Sequence, residues 1–185
     1  MNVIQIDKDW TLFLDRDGVI NRRIPGDYIR TVEEFEFLPG VLKTLSRFSN
    51  IFHYLIIVTN QQGIGKGLMT EKDLQVIHQH MVDQIEKSGG RIDKIYFCSD
   101  LASLADNCRK PSPAMGLRAK KDFSQIDFEK SVMVGDSLTD IGFGRGLDMK
   151  TILIGDRIGF SGSDDRWEPD FILDDLNSVE KILRY

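Results

Sequence analysis

Along the chain, short continuous apolar runs alternate with longer segments in which apolar positions recur every three or four residues. The runs are WTLFL (10–14), YLIIV (54–58), KIYFC (94–98), SVMVGD (131–136), KTILIG (150–155) and FIL (171–173). Between and after them lie VLKTLSRF (41–48), EKDLQVIHQHMVDQIEKSG (71–89), AMGLRAKKDF (114–123), LTDIGFGRG (138–146) and a closing LNSVEKILRY (176–185). Runs that are apolar throughout, rather than at every second position, predict strands covered on both faces, the pattern of a parallel sheet between two helix layers. The expected fold is therefore α/β, a doubly wound and mainly parallel sheet, over one domain spanning residues 1–185. Two segments, 22–40 and 99–113, carry the Pro, Gly and Asn punctuation of functional loops. Neither is long enough to form a large cap domain.

In such sheets a ligand sits beyond the carboxyl ends of the strands, so the residues just after each apolar run carry the candidate chemistry. They are Asp15 and Asp17 after the first run, Thr59 and Asn60 after YLIIV, and Asp136 after SVMV, with Asp140 one helical turn further on. Arg109 and Lys110 lie in the loop before AMGLRAKKDF. Residues two apart at a strand end project the same way, so Asp15 and Asp17 are expected to face the site and Arg16 to point elsewhere. Clustered carboxylates call for a cation, and an all-oxygen donor set fits Mg²⁺. A carboxylate beside a cation is also a workable nucleophile toward phosphorus, and a second carboxyl group can move the protons.

The stretches FLDRDGVIN, VTNQQGIGKG, CRKPSPAMG and VGDSLTD, in that order, resemble the four signature motifs of the haloacid dehalogenase superfamily of phosphohydrolases. The resemblance runs over roughly residues 10–155 and is closest to the subgroup that holds the heptose bisphosphate and histidinol-phosphate phosphatases. It implies hydrolysis of a phosphorylated sugar through an aspartyl-phosphate, with Asp15 as nucleophile and Asp17 as general acid/base. It implies Mg²⁺ bound by the Asp15 side chain, the Asp17 backbone carbonyl and Asp136. Thr59 and Lys110 would hold the phosphoryl oxygens, Arg109 would recognise the substrate, and Asn60, Gln61 and Gln62 would line its site. The motif wording leans toward removal of the C7 phosphate of a heptose 1,7-bisphosphate, with histidinol phosphate as the alternative substrate.

Other readings are weaker. A phosphoacceptor receiver domain also gathers aspartates, a Thr and a Lys, but its acceptor Asp follows the third strand, where this chain reads FCSD without the usual setting. GIGKG lacks the P-loop spacing, and FGRG lacks that of a dinucleotide fingerprint. Asp140 reads as a structural residue in the first turn of a helix. His78 and His80, two apart on one helix, point to different faces and read as surface or packing residues.

Composition adds limits. Of 185 residues, 41% are hydrophobic and 29% charged, the balance of a globular chain. A net charge of -5 gives no basic footprint for nucleic acid. No apolar run is long enough to span a membrane, and the N-terminus has no secretory pattern, so a cytoplasmic monomer is expected. In a reducing compartment Cys98 and Cys108 are expected as free thiols or metal ligands. Many heptose bisphosphate phosphatases carry a structural zinc site in this loop. The matching positions here are Cys98, Asp100, Asp106 and Cys108, a degraded set from which no structural zinc is expected.

Overall fold

The computed structural model describes residues 3–155 and 167–185. Six parallel strands form the central sheet: β2 (Thr11–Leu14), β3 (Tyr54–Asn60), β4 (Lys94–Cys98), β5 (Ser131–Gly135), β6 (Lys150–Ile154) and β7 (Phe171–Leu173), in spatial order β4-β3-β2-β5-β6-β7. The chain winds outward from β2 through β3 to β4, then returns to the other side of β2 and continues through β5, β6 and β7. Strand order therefore reverses at β2, and a crevice opens at its carboxyl end between β3 and β5. The expected doubly wound parallel sheet is observed.

Alternate residues of each strand feed two different cores. Leu12 and Leu14 of β2, Leu55 and Ile57 of β3, and Val132 and Val134 of β5 pack on one face. Phe13, Ile56, Val58 and Met133 pack on the other. The first face is covered by α1 (Val41–Ile51), α3 (Glu71–Lys87) and a 3₁₀ segment (Leu176–Ile182), and the second by α4 (Ala114–Asp122) and α5 (Leu138–Arg145). Two apolar faces on one strand require an unbroken apolar run, which explains why the sequence shows continuity rather than alternation.

Helix α3 begins at a capping box in which the Thr70 side chain accepts from the Asp73 amide and the Asp73 carboxylate accepts from the Thr70 amide. Its buried residues, Leu74, Ile77, His78, Met81 and Ile85, fall at helical spacing on one face. Ser137 and Asp140 form an equivalent box at the start of α5.

Three small elements were not legible in the pattern. Strand β1 (Ile4–Gln5) pairs in parallel with β8 (Leu183–Arg184), and α2 (Gln62–Gly65) is a single turn after β3. The closing segment is a 3₁₀ helix followed by β8. Among the described residues no insertion is large enough to form a cap domain. Segment 15–40 instead folds over the carboxyl edge of the sheet and is braced internally by isolated bridges from Asn21 to Asp17 and Phe37.

Candidate active site

The site is built on the ends of the strands flanking the switch point. Asp15 continues β2, its amide donating to the Val134 carbonyl at 2.9 Å. Behind it the chain turns sharply: the Arg16 carbonyl accepts from the amides of Val19, Ile20 and Asn21, and the Gly18 amide donates to the Asn21 carbonyl. Gly18 has φ +89°, and a Cβ there would run into the Asp136 carboxylate, so the turn needs glycine for both conformation and space. Asp136 follows β5, and Asp140 lies in the first turn of α5.

Lys110 is the hub. Its buried ammonium lies 2.7 Å from Asp15 Oδ1, 2.5 Å from Asp140 Oδ1 and 2.6 Å from the Val58 carbonyl. Burial works against the charge, but Asp140 and Asp15 outweigh it and raise the Lys110 pKa. The Lys110 backbone is fixed by Asn60, whose Oδ1 accepts from the Lys110 amide at 2.9 Å and whose Nδ2 donates to its carbonyl at 3.3 Å.

The carboxylates of Asp15, Asp136 and Asp140 converge, with one oxygen of each within 4.8 Å of the others. Burial pushes the Asp15 pKa up to about 7 against the opposing pull of Lys110, and the neighbouring acids add to the rise. Asp136 is pushed up to about 6, chiefly by burial and then by Asp140, while Arg23 opposes. The Arg23 guanidinium reaches Asp136 Oδ2 at 3.2 Å. Such a cluster of oxygen donors, electrostatically uncomfortable when ionised, suits a hard divalent cation. Asp140 contributes differently: its Oδ2 is engaged by Ser137 and its Oδ1 by Lys110. It therefore anchors the lysine as well as the helix start, a larger part than the structural one read from sequence.

Arg16 stays out of the cavity wall, as expected, but it is not idle. It is fully buried, and its Nη2 donates to both Asp17 oxygens at 2.8 and 2.9 Å. Asp17 also accepts from Asn21 Nδ2 at 2.9 Å and from Gln61 Nε2 at 3.0 Å. Burial works to raise the Asp17 pKa, but the charge and hydrogen bonds of Arg16, with those of Asn21 and Gln61, give a net fall. Alternation places Arg16 behind the site but does not show that its guanidinium folds back onto Asp17, because β2 ends at Leu14 and the chain turns soon after.

Above these groups lies a cavity of about 510 Å³, lined among others by Asp15, Asp17, Thr59, Lys110 and Asp136, with Arg23, Tyr28, Lys66 and Arg109 also in its wall. Thr59 is buried at the end of β3 and accepts from Gln61 Nε2. Asn60 lines the cavity, whereas Gln61 is buried behind Asp17 and Thr59, and Gln62 lies in α2 outside the wall. Arg109 Nη1 is buried without a hydrogen-bond partner among the described residues. Sequence reasoning missed Arg23, Tyr28 and Lys66. The first two fall in the punctuated 22–40 segment, and the Lys66 ammonium stands 5.3 Å from the Tyr28 ring centroid.

Cys98 and Cys108 are joined by a disulfide, with Cα atoms 5.6 Å apart, which corrects the expectation of free thiols or metal ligands. The strand end and the loop return to the same place, close enough for the sulfurs to bond each other. Asp100 Oδ2 accepts from the Cys108 amide and Asn107 Oδ1 from the Arg109 amide, whereas Asp106 is exposed.

A switch-point aspartate ion-paired to a buried lysine, with further acids on the next strand end and an open polar cavity above, defines a hydrolase site of the haloacid dehalogenase type. Residues 107–179, which carry Arg109, Lys110, Asp136 and Asp140, match the HAD-hydrolase-like family. A Mycobacterium bovis protein named D-glycero-alpha-D-manno-heptose-1,7-bisphosphate 7-phosphatase is 43% identical over 132 residues, 71% of this chain and 70% of that protein. A Helicobacter pylori protein named as the corresponding beta-heptose bisphosphate 7-phosphatase is 38% identical over 144 residues, 77% and 82% of the two chains. The crystal structure of D,D-heptose 1,7-bisphosphate phosphatase from B. bronchiseptica with magnesium and phosphate superposes with a TM-score of 0.83 at 27% identity, covering 93% of this chain and 96% of that one. The chain belongs to the HAD-like hydrolases, in the branch of the heptose-1,7-bisphosphate 7-phosphatases.

Proposed function

We propose that the chain is a Mg²⁺-dependent phosphomonoesterase that removes the C7 phosphate of a D-glycero-D-manno-heptose 1,7-bisphosphate. The observation that carries this reading is Asp15 at the foot of the cavity, paired with buried Lys110 and facing Asp136. Asp15 Oδ would attack phosphorus in line, forming an acyl phosphate as the P–O bond to the sugar breaks. Lys110 balances charge on the transferring group, and the Thr59 hydroxyl offers it a hydrogen bond. Asp17, held ionised in the free protein, would take up a proton as the anionic substrate binds, deliver it to the departing sugar oxygen, and then take a proton from the water that hydrolyses the acyl phosphate. Mg²⁺, held by Asp15, the Asp17 carbonyl and Asp136, would neutralise phosphoryl charge and orient the group.

A bisphosphate needs cationic contacts away from the reacting phosphoryl group. Arg109 offers a buried N–H without a partner among the described residues, and Lys66 and Arg23 add charge along the same wall. Phosphate in that position would recover the hydrogen bond that Arg109 lacks. The chain is read as acting alone on a small molecule, without nucleic acid or membrane, in the cytoplasm. Among the described residues no helix is long and apolar enough to cross a membrane.

The test is phosphate release from both anomers of heptose 1,7-bisphosphate and from histidinol phosphate, with Mg²⁺ and with EDTA, and ³¹P NMR to identify the phosphate lost. EDTA-sensitive loss of the C7 phosphate at the highest kcat/KM supports the reading. Faster turnover of histidinol phosphate, or loss of the C1 phosphate, overturns it.

A further inference from the structure

His78 is a buried histidine that the proposed reaction does not use. It lies on the inward face of α3, 8% exposed, with its ring edge toward Phe97 at 6.4 Å between centroids. Its Nε2 is 3.2 Å from Nη1 of Arg16. A guanidinium can only donate, so Nε2 must be the acceptor and the ring neutral with its proton on Nδ1. Burial and the adjacent guanidinium both hold the imidazole uncharged, its pKa falling to about 3.

The result is a pair of directed hydrogen-bond contacts, both donated by Arg16, from Nη1 to His78 and from Nη2 to Asp17. Arg16 is 0% exposed and is held from both ends: Nη1 by His78, and Nη2 by the two carboxylate oxygens. A planar fork fixed at one end presents its other edge in one orientation. We infer that His78 is a positioning residue, which acts through Arg16 to set the direction of the Asp17 carboxylate for proton transfer at the sugar oxygen. The inference rests on the proposed role of Asp17 as general acid/base. Phe97 and α3 lie outside the wall of the cavity, so His78 touches neither substrate nor metal. Its influence should fall on the proton-transfer step and not on binding.

A merely structural histidine would, when replaced, lower stability or active fraction for all substrates alike. A positioning role is selective. An alkyl phosphate, whose leaving oxygen must be protonated, loses more than an aryl phosphate, whose leaving group departs as a weakly basic anion. In the holoenzyme, His78→Met is expected to lower kcat on the sugar phosphate about tenfold or more and on p-nitrophenyl phosphate less than threefold, with KM unchanged for both. His78→Gln, whose amide oxygen can accept from Arg16, should restore most of the sugar-phosphate rate. If His78→Met does not accumulate as folded protein, His78→Asn replaces it, because its shorter amide stops short of Nη1. Asp17→Asn is run beside them. If Asp17→Asn shows the alkyl-selective loss and the His78 variants lose both substrates equally, or neither, the positioning role is wrong. If Asp17→Asn itself shows no selectivity, the general acid assignment fails instead.

Discussion

Lys110→Met tests the centre of the site, because three contacts disappear together: Asp15 at 2.7 Å, Asp140 at 2.5 Å and the Val58 carbonyl at 2.6 Å. Removing one partner from a buried ion pair costs about 3–5 kcal/mol, since the charge left behind is uncompensated. Two carboxylates are left here, but one of them can take up a proton. With Lys110 present the Asp15 pKa is already about 7, and loss of the ammonium that opposes the rise moves it higher. A folded-state pKa raised above the unfolded value contributes stability that is present at low pH and lost as pH rises through the folded pKa. The deficit of the variant in metal-free protein should therefore be greatest near pH 8, at about 3–5 kcal/mol. Near pH 5.5, where a proton replaces the ammonium, it should shrink toward the cost of the lost Val58 hydrogen bond, about 0.5–1.5 kcal/mol. Urea denaturation of both proteins in EDTA at the two pH values measures this, and kcat/KM with Mg²⁺ should fall about 10²–10³-fold on every phosphomonoester. A deficit that is small and independent of pH, or activity near that of the parent, would refute the placement of Lys110 as the counter-charge of Asp15.

Asp15→Asn should abolish turnover in a folded protein, because an amide cannot form the acyl phosphate; retained activity with unchanged thermal unfolding counts against the covalent route. Arg109→Ala should raise KM for the bisphosphate about tenfold or more while leaving p-nitrophenyl phosphate nearly unaffected, and an equal effect on both would place Arg109 at the reacting phosphoryl group. Protein purified without a metal-binding tag should contain no stoichiometric zinc and should show the Cys98–Cys108 crosslink in non-reducing peptide maps. Two titratable thiols with one zinc per chain would show instead that the pair serves as metal ligands.

The sheet could be read from the sequence because burial on both faces forces unbroken apolar runs, and those runs end within a residue or two of the observed strands. The ends themselves carried the site: Asp15, Thr59 and Asp136 stand directly after or at the close of their strands because the switch-point crevice lies there. Elements with little hydrophobic signal were lost. Strand β1 has two residues and α2 has four, too short for periodicity to register. Alternation placed Asp15 and Asp17 in the cavity wall and Arg16 outside it, but it could not show the pairing: soon after Leu14 the chain turns, and the Arg16 guanidinium returns to Asp17 from behind. His78 packs in the core, one of the two roles read for it, but helical spacing shows which face a residue occupies and not that a buried cation waits opposite. The cysteine pairing depended on two segments ten residues apart meeting in space, which spacing alone does not decide.

Two aspartates two residues apart can both lie beneath the cavity because the protein gives each its own cation. Lys110 takes Asp15 from beside the Val58 carbonyl of β3 and Asp140 of α5, and Arg16 takes Asp17 from the α3 side. This division leaves Asp15 and Asp136 with a surplus of negative charge, visible as pKa values raised to about 7 and about 6 by burial and neighbouring acids. Mg²⁺ would supply the missing charge, but below these pKa values it must displace protons. Affinity for Mg²⁺ should thus be greatest above pH 7 and fall through pH 6, by up to about tenfold per pH unit for each proton displaced. Calorimetric titration of the metal-free protein in two buffers of different ionisation enthalpy reads the proton release directly. At pH 6 heat should depend on the buffer, and at pH 8 it should not. Buffer-independent heats and a constant affinity across this range would show that the two carboxylates are already ionised without metal, and that another cation, with Arg23 beside Asp136 the first candidate, balances them.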